Sequence, residues 1–253
     1  MTPALSVATW NIHKGFSQFN RRMMVHELRD RLRELSADIV FLQEVQGMHL
    51  RHAERHADWP AQPQHEFLAE DFWENHSYGS NMVYDHGHHG NAILPRFPIL
   101  HEHNQDVTHL RFEKRGLLHC AVAMPQLAQP LHCVCVHLSL FARSRRWQMD
   151  ALASRIEELV PAAAPLLIAG DFNDWRNHAD DLLAERLGLA EVFSGAGRPS
   201  RSYPAALPLF RLDRIYQRGL RVLATQVHAG RPWSTISDHA ALTALLQLKS
   251  AAP

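Results

Sequence analysis

Pro165-Leu166-Leu167-Ile168-Ala169-Gly170-Asp171-Phe172-Asn173-Asp174 decides how the rest of the chain is read. The run from Pro165 to Ala169 is short and apolar, as a buried strand is. It ends in Gly170-Asp171-Phe172-Asn173, which delivers two short polar side chains at the strand's end. Asp171 and Asn173 are two positions apart, so extended geometry turns them to the same side. A carboxylate and an amide that converge there suit a water and a phosphoryl oxygen held together. In isolation, Asp and Asn after a strand are more often turn formers. The flanking chain tips the balance.

Upstream, Arg145 to Val160 sets Trp147, Leu152, Ile156 and Leu159 on one helical face, and Pro161 stops that helix. Leu117 to Met124 and Leu131 to Leu138 read as an antiparallel hairpin joined through residues 125–130, the second strand ending at His137. Farther back, Leu5 to Trp10 is a strand with Asn11 at its end. Asn20 caps a helix to Leu35, with Met23, Met24, Leu28, Leu32 and Leu35 on the inner face. Asp38 to Leu42 is the next strand, ending in Gln43-Glu44. Residues 46–75 read as irregular structure or short helices, Tyr78 to Tyr84 as a strand, and Asp85 to Asn91 as a turn-rich loop. Ala92 to Leu94 and Ile99-Leu100 read as short strands around Pro95 and Pro98. Downstream, Asp180 to Leu187 is a helix that Gly188 terminates. Phe210 to Tyr216 is a strand carrying Asp213, Leu220 to Val227 is another, and Ser237-Asp238-His239 opens the last, Ala240 to Leu248. Strands and helices that alternate, with polar residues at the strand ends, indicate a layered α/β fold. No linker or repeat interrupts them, so residues 1–253 read as one domain.

Apolar residues make up 46% of the chain, enough for a substantial core, and 26 basic side chains balance 26 acidic ones. That balance argues against coating nucleic acid by bulk charge and leaves room for a local basic groove. Nineteen His will raise the charge between neutral and mildly acidic pH. Cys120, Cys133 and Cys135 lie in apolar, strand-like runs and cannot all pair within one chain. They read as reduced core thiols, the Cys133-Val134-Cys135 pair included, and point to the cytoplasm. The first strand begins almost at once, without a basic and apolar leader, and no apolar run is long enough to span a bilayer.

Asn11, Glu44, His137, Asp171, Asn173, Asp213, Asp238 and His239 all fall at strand ends, which a mixed sheet gathers on one rim. Glu44 suits a hard divalent cation bound through oxygen. His239 with a carboxylate makes an acid/base pair, and Asp171 with Asn173 holds a water and an oxyanion. Such a set cleaves a phosphate ester by in-line attack of water. Thr9-Trp10-Asn11, Leu42-Gln43-Glu44, Gly90-Asn91-Ala92-Ile93-Leu94, Val136-His137-Leu138, Gly170-Asp171-Phe172-Asn173, Arg211-Leu212-Asp213-Arg214-Ile215 and Ser237-Asp238-His239 occur in this order. They resemble the motifs of the endonuclease/exonuclease/phosphatase (DNase I-like) superfamily, and the resemblance covers essentially the whole chain.

The resemblance implies a four-layered α/β sandwich, two mixed β-sheets packed face to face with helices outside. It implies a phosphoric ester hydrolase that depends on Mg²⁺ or Mn²⁺, with one or two ions. Carried over, Glu44 is the metal's carboxylate ligand, with Asn11 beside it and Asp238 supporting the metal region. Asp171 orients or deprotonates the attacking water, and Asn173 and His137 contact the scissile phosphate. His239 is general base or stabilises the pentavalent transition state, with Asp213 fixing its tautomer. Apurinic-site endonucleases of the superfamily tend to carry Tyr where this chain has His137, which weakens a DNA-repair reading.

Other candidates are less tied to the motifs. His86, His88 and His89 lack a third-ligand pattern, so their loop reads as solvated or substrate-facing, and in the latter case His89 and Asn91 are the candidates to meet the phosphate. Arg143, Arg145 and Arg146 either grip a second phosphate or form a solvated helix end. Leu207-Pro208-Leu209-Phe210 and Trp233 read as packing residues; exposed, they would touch lipid or stack on a base. The expected partner is a phosphoester, either nucleic acid or a phospholipid headgroup, met by a monomer. The rival readings are a nuclease acting in DNA repair and a non-catalytic scaffold that keeps the fold.

Overall fold

In the computed structural model, which describes residues 4–195 and 199–248, two parallel strand pairs lie at the centres of two sheets. The elements in order are β1 (Ala4–Asn11), α1 (Val25–Leu35), β2 (Ile39–His49), α2 (Leu50–Arg55), α3 (Gln64–Ala69), β3 (Ser77–Tyr84), β4 (Gly87–Pro95) and β5 (Ile99–Asp106). They continue as β6 (Gly116–Val122), β7 (Leu131–His137), α4 (Ala142–Leu159), β8 (Leu166–Asp171), α5 (Ala179–Leu187), β9 (Ala190–Glu191), β10 (Asp213–Arg218), β11 (Leu220–His228) and β12 (Ala241–Leu248). One sheet has the order β11-β12-β1-β2-β4-β3 and the other β5-β6-β7-β8-β10-β9. In each, only the central pair is parallel, β1 with β2 and β7 with β8. A parallel pair needs a crossover, and α1 and α4 supply it.

The crossovers set the site. They leave the C-terminal ends of β1 and β2 side by side, with Asn11 opposite Gln43. The same holds for β7 and β8, where His137 lies opposite Asp171. β10 runs antiparallel to β8 and brings Asp213 opposite Asp171. Loops beyond the carboxyl ends of adjacent parallel strands are where open α/β sheets form clefts.

Three apolar layers hold the arrangement. Leu5, Val7, Phe41, Cys133, Leu167 and Leu246 fill the space between the sheets. Leu28 and Leu32 of α1, with Phe67 and Leu68 of α3, pack on the outer face of the first sheet. Leu152 and Ile156 of α4, with Leu183 of α5, cover the second. Each such side chain, taken fully out of water, contributes roughly 1.5–3 kcal/mol. Gly170 stands at φ 143°, and a Cβ there would meet the Val136 carbonyl oxygen at 2.0 Å. Its lack of a side chain lets β8 lie close against β7 just before Asp171. The three thiols are free and buried, and no described helix is long and apolar enough to cross a membrane.

Several boundaries differ from the sequence expectation. Asn20 does not cap α1. It sits at φ 53° in a short 3-10 turn, and the Phe16–Met23 bridge closes a separate loop before the helix starts at Val25. β2 runs on to His49 rather than stopping at Leu42, because its register shifts between Leu42 and Val45 and then resumes against β4. The turn-rich loop is confined to its first residues, since β4 already begins at Gly87 and pairs with both neighbours. β10 starts at Asp213, so Phe210 to Leu212 belong to the preceding loop.

Candidate active site

The rim above the two parallel pairs is a cleft of about 280 Å³. Glu44, His89, His137, Asp171, Asn173, Asp238 and His239 line it, together with Lys14, Arg115, Leu140, Trp175, Tyr203 and Leu212. Glu44 reaches it through the irregularity in β2, at φ 56°. His13, Lys14 and Asn173 also have positive φ, at 44°, 58° and 47°. Non-glycine residues held in that region concentrate where the surrounding structure fixes a site.

Asp171 is the focus. Its Oδ2 accepts from Asn11 Nδ2 at 3.1 Å, and lies 3.6 Å from His137 Nε2 and 3.8 Å from His239 Nε2. Its Oδ1 accepts from the Asn173 backbone N–H at 2.9 Å. Asn173 therefore does not extend the strand beside Asp171. The backbone turns, and its amide Nδ2 donates to the Leu138 carbonyl at 3.0 Å. Asn11 Nδ2 also approaches Glu44 Oε1 at 3.3 Å, bridging the carboxylates of the two sheets. His239 Nδ1 is 2.7 Å from Asp213 Oδ2, and Tyr203 lies against the His239 ring at 4.9 Å. The last strand is tied to the first where it matters. Ser237 Oγ donates to the Asn11 carbonyl at 2.7 Å, and Trp10 Nε1 donates to the His239 carbonyl at 2.9 Å.

Burial and charge compete at each titrating group. Burial raises the Asp171 carboxyl and the neighbouring Asp213 charge adds to this, leaving it near 6. Burial alone would lower the His239 imidazole, but Asp213 and Asp171 prevail and hold it near 10. Burial alone would raise Glu44. His137, Lys14, His13 and His239 around it hold it down to about 2 instead. Burial and then Lys14 push His89 down to about 4, so that imidazole is neutral. His137 is lowered, by burial first and then by Arg115. Lys14 Nζ stands 3.5 Å from Glu44, and His13 Nδ1 pairs with Asp238 at 2.9 Å.

A profile of the endonuclease/exonuclease/phosphatase family matches residues 8–239. The chain belongs to that family. The protein YbhP of Escherichia coli (strain K12), named as uncharacterized, is 47% identical over 246 residues, 97% of this chain and 97% of that one. The solved endonuclease/exonuclease/phosphatase from Beutenbergia cavernae has the same fold, with a TM-score of 0.75 at 20% identity over 98% of this chain and 72% of that one. The mannosyl-6-phosphatase of Bacteroides thetaiotaomicron superposes with a TM-score of 0.70 at 15% identity, over 96% and 99% of the two chains. Two mixed six-stranded sheets with helices outside are thus the architecture the family motifs implied.

Three candidates lie outside this cleft. Asn91 is 1% exposed, and its Nδ2 donates to the Gly116 and Cys135 carbonyls, so it ties the two sheets together beneath the site. Arg145 is 7% exposed, and its guanidinium donates to the Ser139 and Leu140 carbonyls. It braces the loop after β7 rather than gripping substrate. Arg143 is exposed and outside the cleft lining. Conversely, the motifs passed over Lys14, Arg115, Trp175 and Tyr203. Only Lys14 carried a signal, as the cation of Asn11-Ile12-His13-Lys14-Gly15 just past a strand end.

Proposed function

We propose that this protein is a Mg²⁺- or Mn²⁺-dependent phosphoric ester hydrolase that splits a phosphodiester or phosphomonoester by in-line attack of water. The observation that carries the reading is the convergence of Asn11, His137 and His239 on one oxygen of Asp171. Glu44 and Asn11 would hold the cation, with Asp238 supporting from the side through His13. They offer hard oxygen donors at the edge of an open cleft, and Glu44 stays ionised. Mg²⁺ takes such sets, completing one or two carboxylates with waters and substrate phosphate. A cation held there would neutralise charge developing on the phosphoryl oxygens. Asp171, Asp213 and His239 also lie within ligand distance of one another. An imidazolium has no lone pair to give a metal, however, so this trio suits proton handling better.

Asp171 takes the proton of the attacking water, since a carboxyl held near neutrality is matched to that task. His239, an imidazolium between two carboxylates, stabilises the negative charge of the pentavalent transition state, and Asp213 fixes its orientation. His137, Asn173, His89 and Lys14 surround the phosphate. The name of the mannosyl-6-phosphatase with this fold supports a phosphate ester as substrate. The buried, unpaired thiols fit the cytoplasm. The test is hydrolysis of bis(p-nitrophenyl) phosphate with and without Mg²⁺. Glu44→Gln keeps the shape and removes the charge, so metal-dependent turnover should vanish while the thermal unfolding curve is retained. Undiminished turnover in that variant would overturn the cation assignment.

A further inference from the structure

One side of the cleft mouth is apolar where a water-exposed rim is ordinarily polar. Leu140 and Trp175 line the cleft and are themselves exposed. Beyond Leu140, Phe141 meets Phe112 edge to face, with ring centres 5.8 Å apart. Beyond Trp175, Phe210 lies 4.8 Å away, in the loop that also carries Leu207 and Leu209. Phe112 is 69% exposed and Leu207 67%. These residues come from four separate segments around one opening, so the patch is a surface and not a single stray side chain.

The charges on the same segments are one-sided. Residues 107–115, 139–148, 174–178 and 199–212 contain only two acids, Glu113 and Asp174. Both are buried and committed. Glu113 pairs with Arg115 and accepts from Ser139 and the Leu140 N–H, and Asp174 pairs with Arg214 and accepts from the Ala179 N–H. Arg111, Lys114, Arg143, Arg146, Arg176 and Arg201 form no ion pair among the described residues. A chain with 26 basic and 26 acidic side chains thus gathers positive charge beside an apolar rim, next to its cleft; the neighbouring acid, Asp150, which shares a cavity with Arg146 and Arg176, pairs with Arg186 at 3.6 Å.

We infer that this face docks on an anionic phospholipid surface and that the phosphoester presented to the cleft is a lipid headgroup. The inference rests on the phosphoesterase reading above. Apolar side chains ringed by Arg and Lys match the layering of a membrane interface, acyl boundary inside and headgroup phosphates around it. Single-stranded nucleic acid is the other anion that such a surface could meet. Leu140, Leu207 and Leu209 offer bases no face on which to stack, and Phe112 with Phe141 meet edge to face at 85°. Lipid accounts for both the leucines and the arginines.

The test uses the full chain with the Glu44→Gln change as background, so that binding is read without turnover. Flotation is measured with phosphatidylcholine vesicles, with and without phosphatidylglycerol, and separately with a single-stranded oligonucleotide. Binding should require phosphatidylglycerol and weaken as salt is raised. The combined change Phe112→Ser, Phe141→Ser, Leu207→Ser and Leu209→Ser should weaken it by at least about tenfold. In the wild-type background those changes should leave hydrolysis of bis(p-nitrophenyl) phosphate as it was. Arg143→Glu with Arg146→Glu, which touches no apolar residue, should also weaken vesicle binding. Equal binding to neutral vesicles, no vesicle binding, undiminished binding by both variants, or capture of the oligonucleotide alone would each overturn the inference. Failure of the hydrolase reading would appear separately, as absent metal-dependent turnover of the soluble ester.

Discussion

Asp171 and His239 line the cleft and the fully buried Asp213 bonds the imidazole, so single-atom changes there should have specific consequences. Asp213→Asn keeps the shape and removes the charge that holds the His239 imidazole near 10. The His239 pKa should then fall, so the imidazolium is lost at lower pH and the alkaline limb of the rate profile moves down. By analogy with an orienting carboxylate in a catalytic triad, kcat should drop about 10³–10⁴-fold. A pH–rate profile of the variant checks both, and an unmoved alkaline limb would count against the pair. At this scale the sequence was informative where a polar residue ended a buried strand. His137 and Asp171 stood out for that reason, whereas Glu44 lies at the irregularity within β2 and Asp213 and His239 lie at or just before strand starts, so the order of the motifs marked those three. Lys14 and Tyr203 did not, because they reach the cleft through a positive-φ turn and a long loop, where spacing carries no direction. Asn91 misled for the opposite reason. It sits in a family-like motif, yet its strand turns it inward between the sheets.

Among the elements, the central strands were the most legible, because burial on both faces leaves a continuous apolar run. β8 also depends on one glycine. Gly170→Ala would drive a methyl group into the Val136 carbonyl and should cost about 3 kcal/mol. Gly188, the left-handed stop of α5, is a useful contrast. A Cβ there finds its nearest neighbour at 4.0 Å, so Gly188→Ala should cost only the backbone term, about 1–2 kcal/mol. Urea unfolding of the two variants compares them directly, and equal losses would refute the packing argument for Gly170. Element starts were less legible than element cores. α1 begins at Val25 because the Phe16–Met23 bridge closes a loop before it, and β2 continues past Glu44 because β4, far along the chain, resumes pairing beyond the irregularity.

For the molecule as a whole, stability should depend on pH through its buried imidazoles. Burial holds His65 and His119 down to about 4 against an ordinary value of 6.5. The unfolded chain accepts those protons at higher pH than the folded one does. Their contribution is therefore complete above about pH 6.5 and is lost as pH falls towards 4. His65 stacks on Tyr78 at 4.6 Å with the rings 5° from parallel. His65→Phe keeps that stack without a titrating group, so the thermal midpoint should fall less steeply between pH 6.5 and 4. An unchanged slope would reject His65 as a contributor. The layering of the molecule came from the motif resemblance rather than from periodicity, since β4 and β5 follow one another in the chain yet join different sheets. The closing contacts span nearly its full length: Trp10 holds the carbonyl of His239, 229 positions away, and Ser237 holds Asn11. A ribosome that has released everything through β11 has therefore made the carboxylates of Glu44, Asp171 and Asp213 but not the imidazole they need. On the hydrolase reading the cleft is complete only once Ser237 and His239 have emerged beyond β11, and a chain cut after β11 would lack both the imidazole and the bonds that seat it.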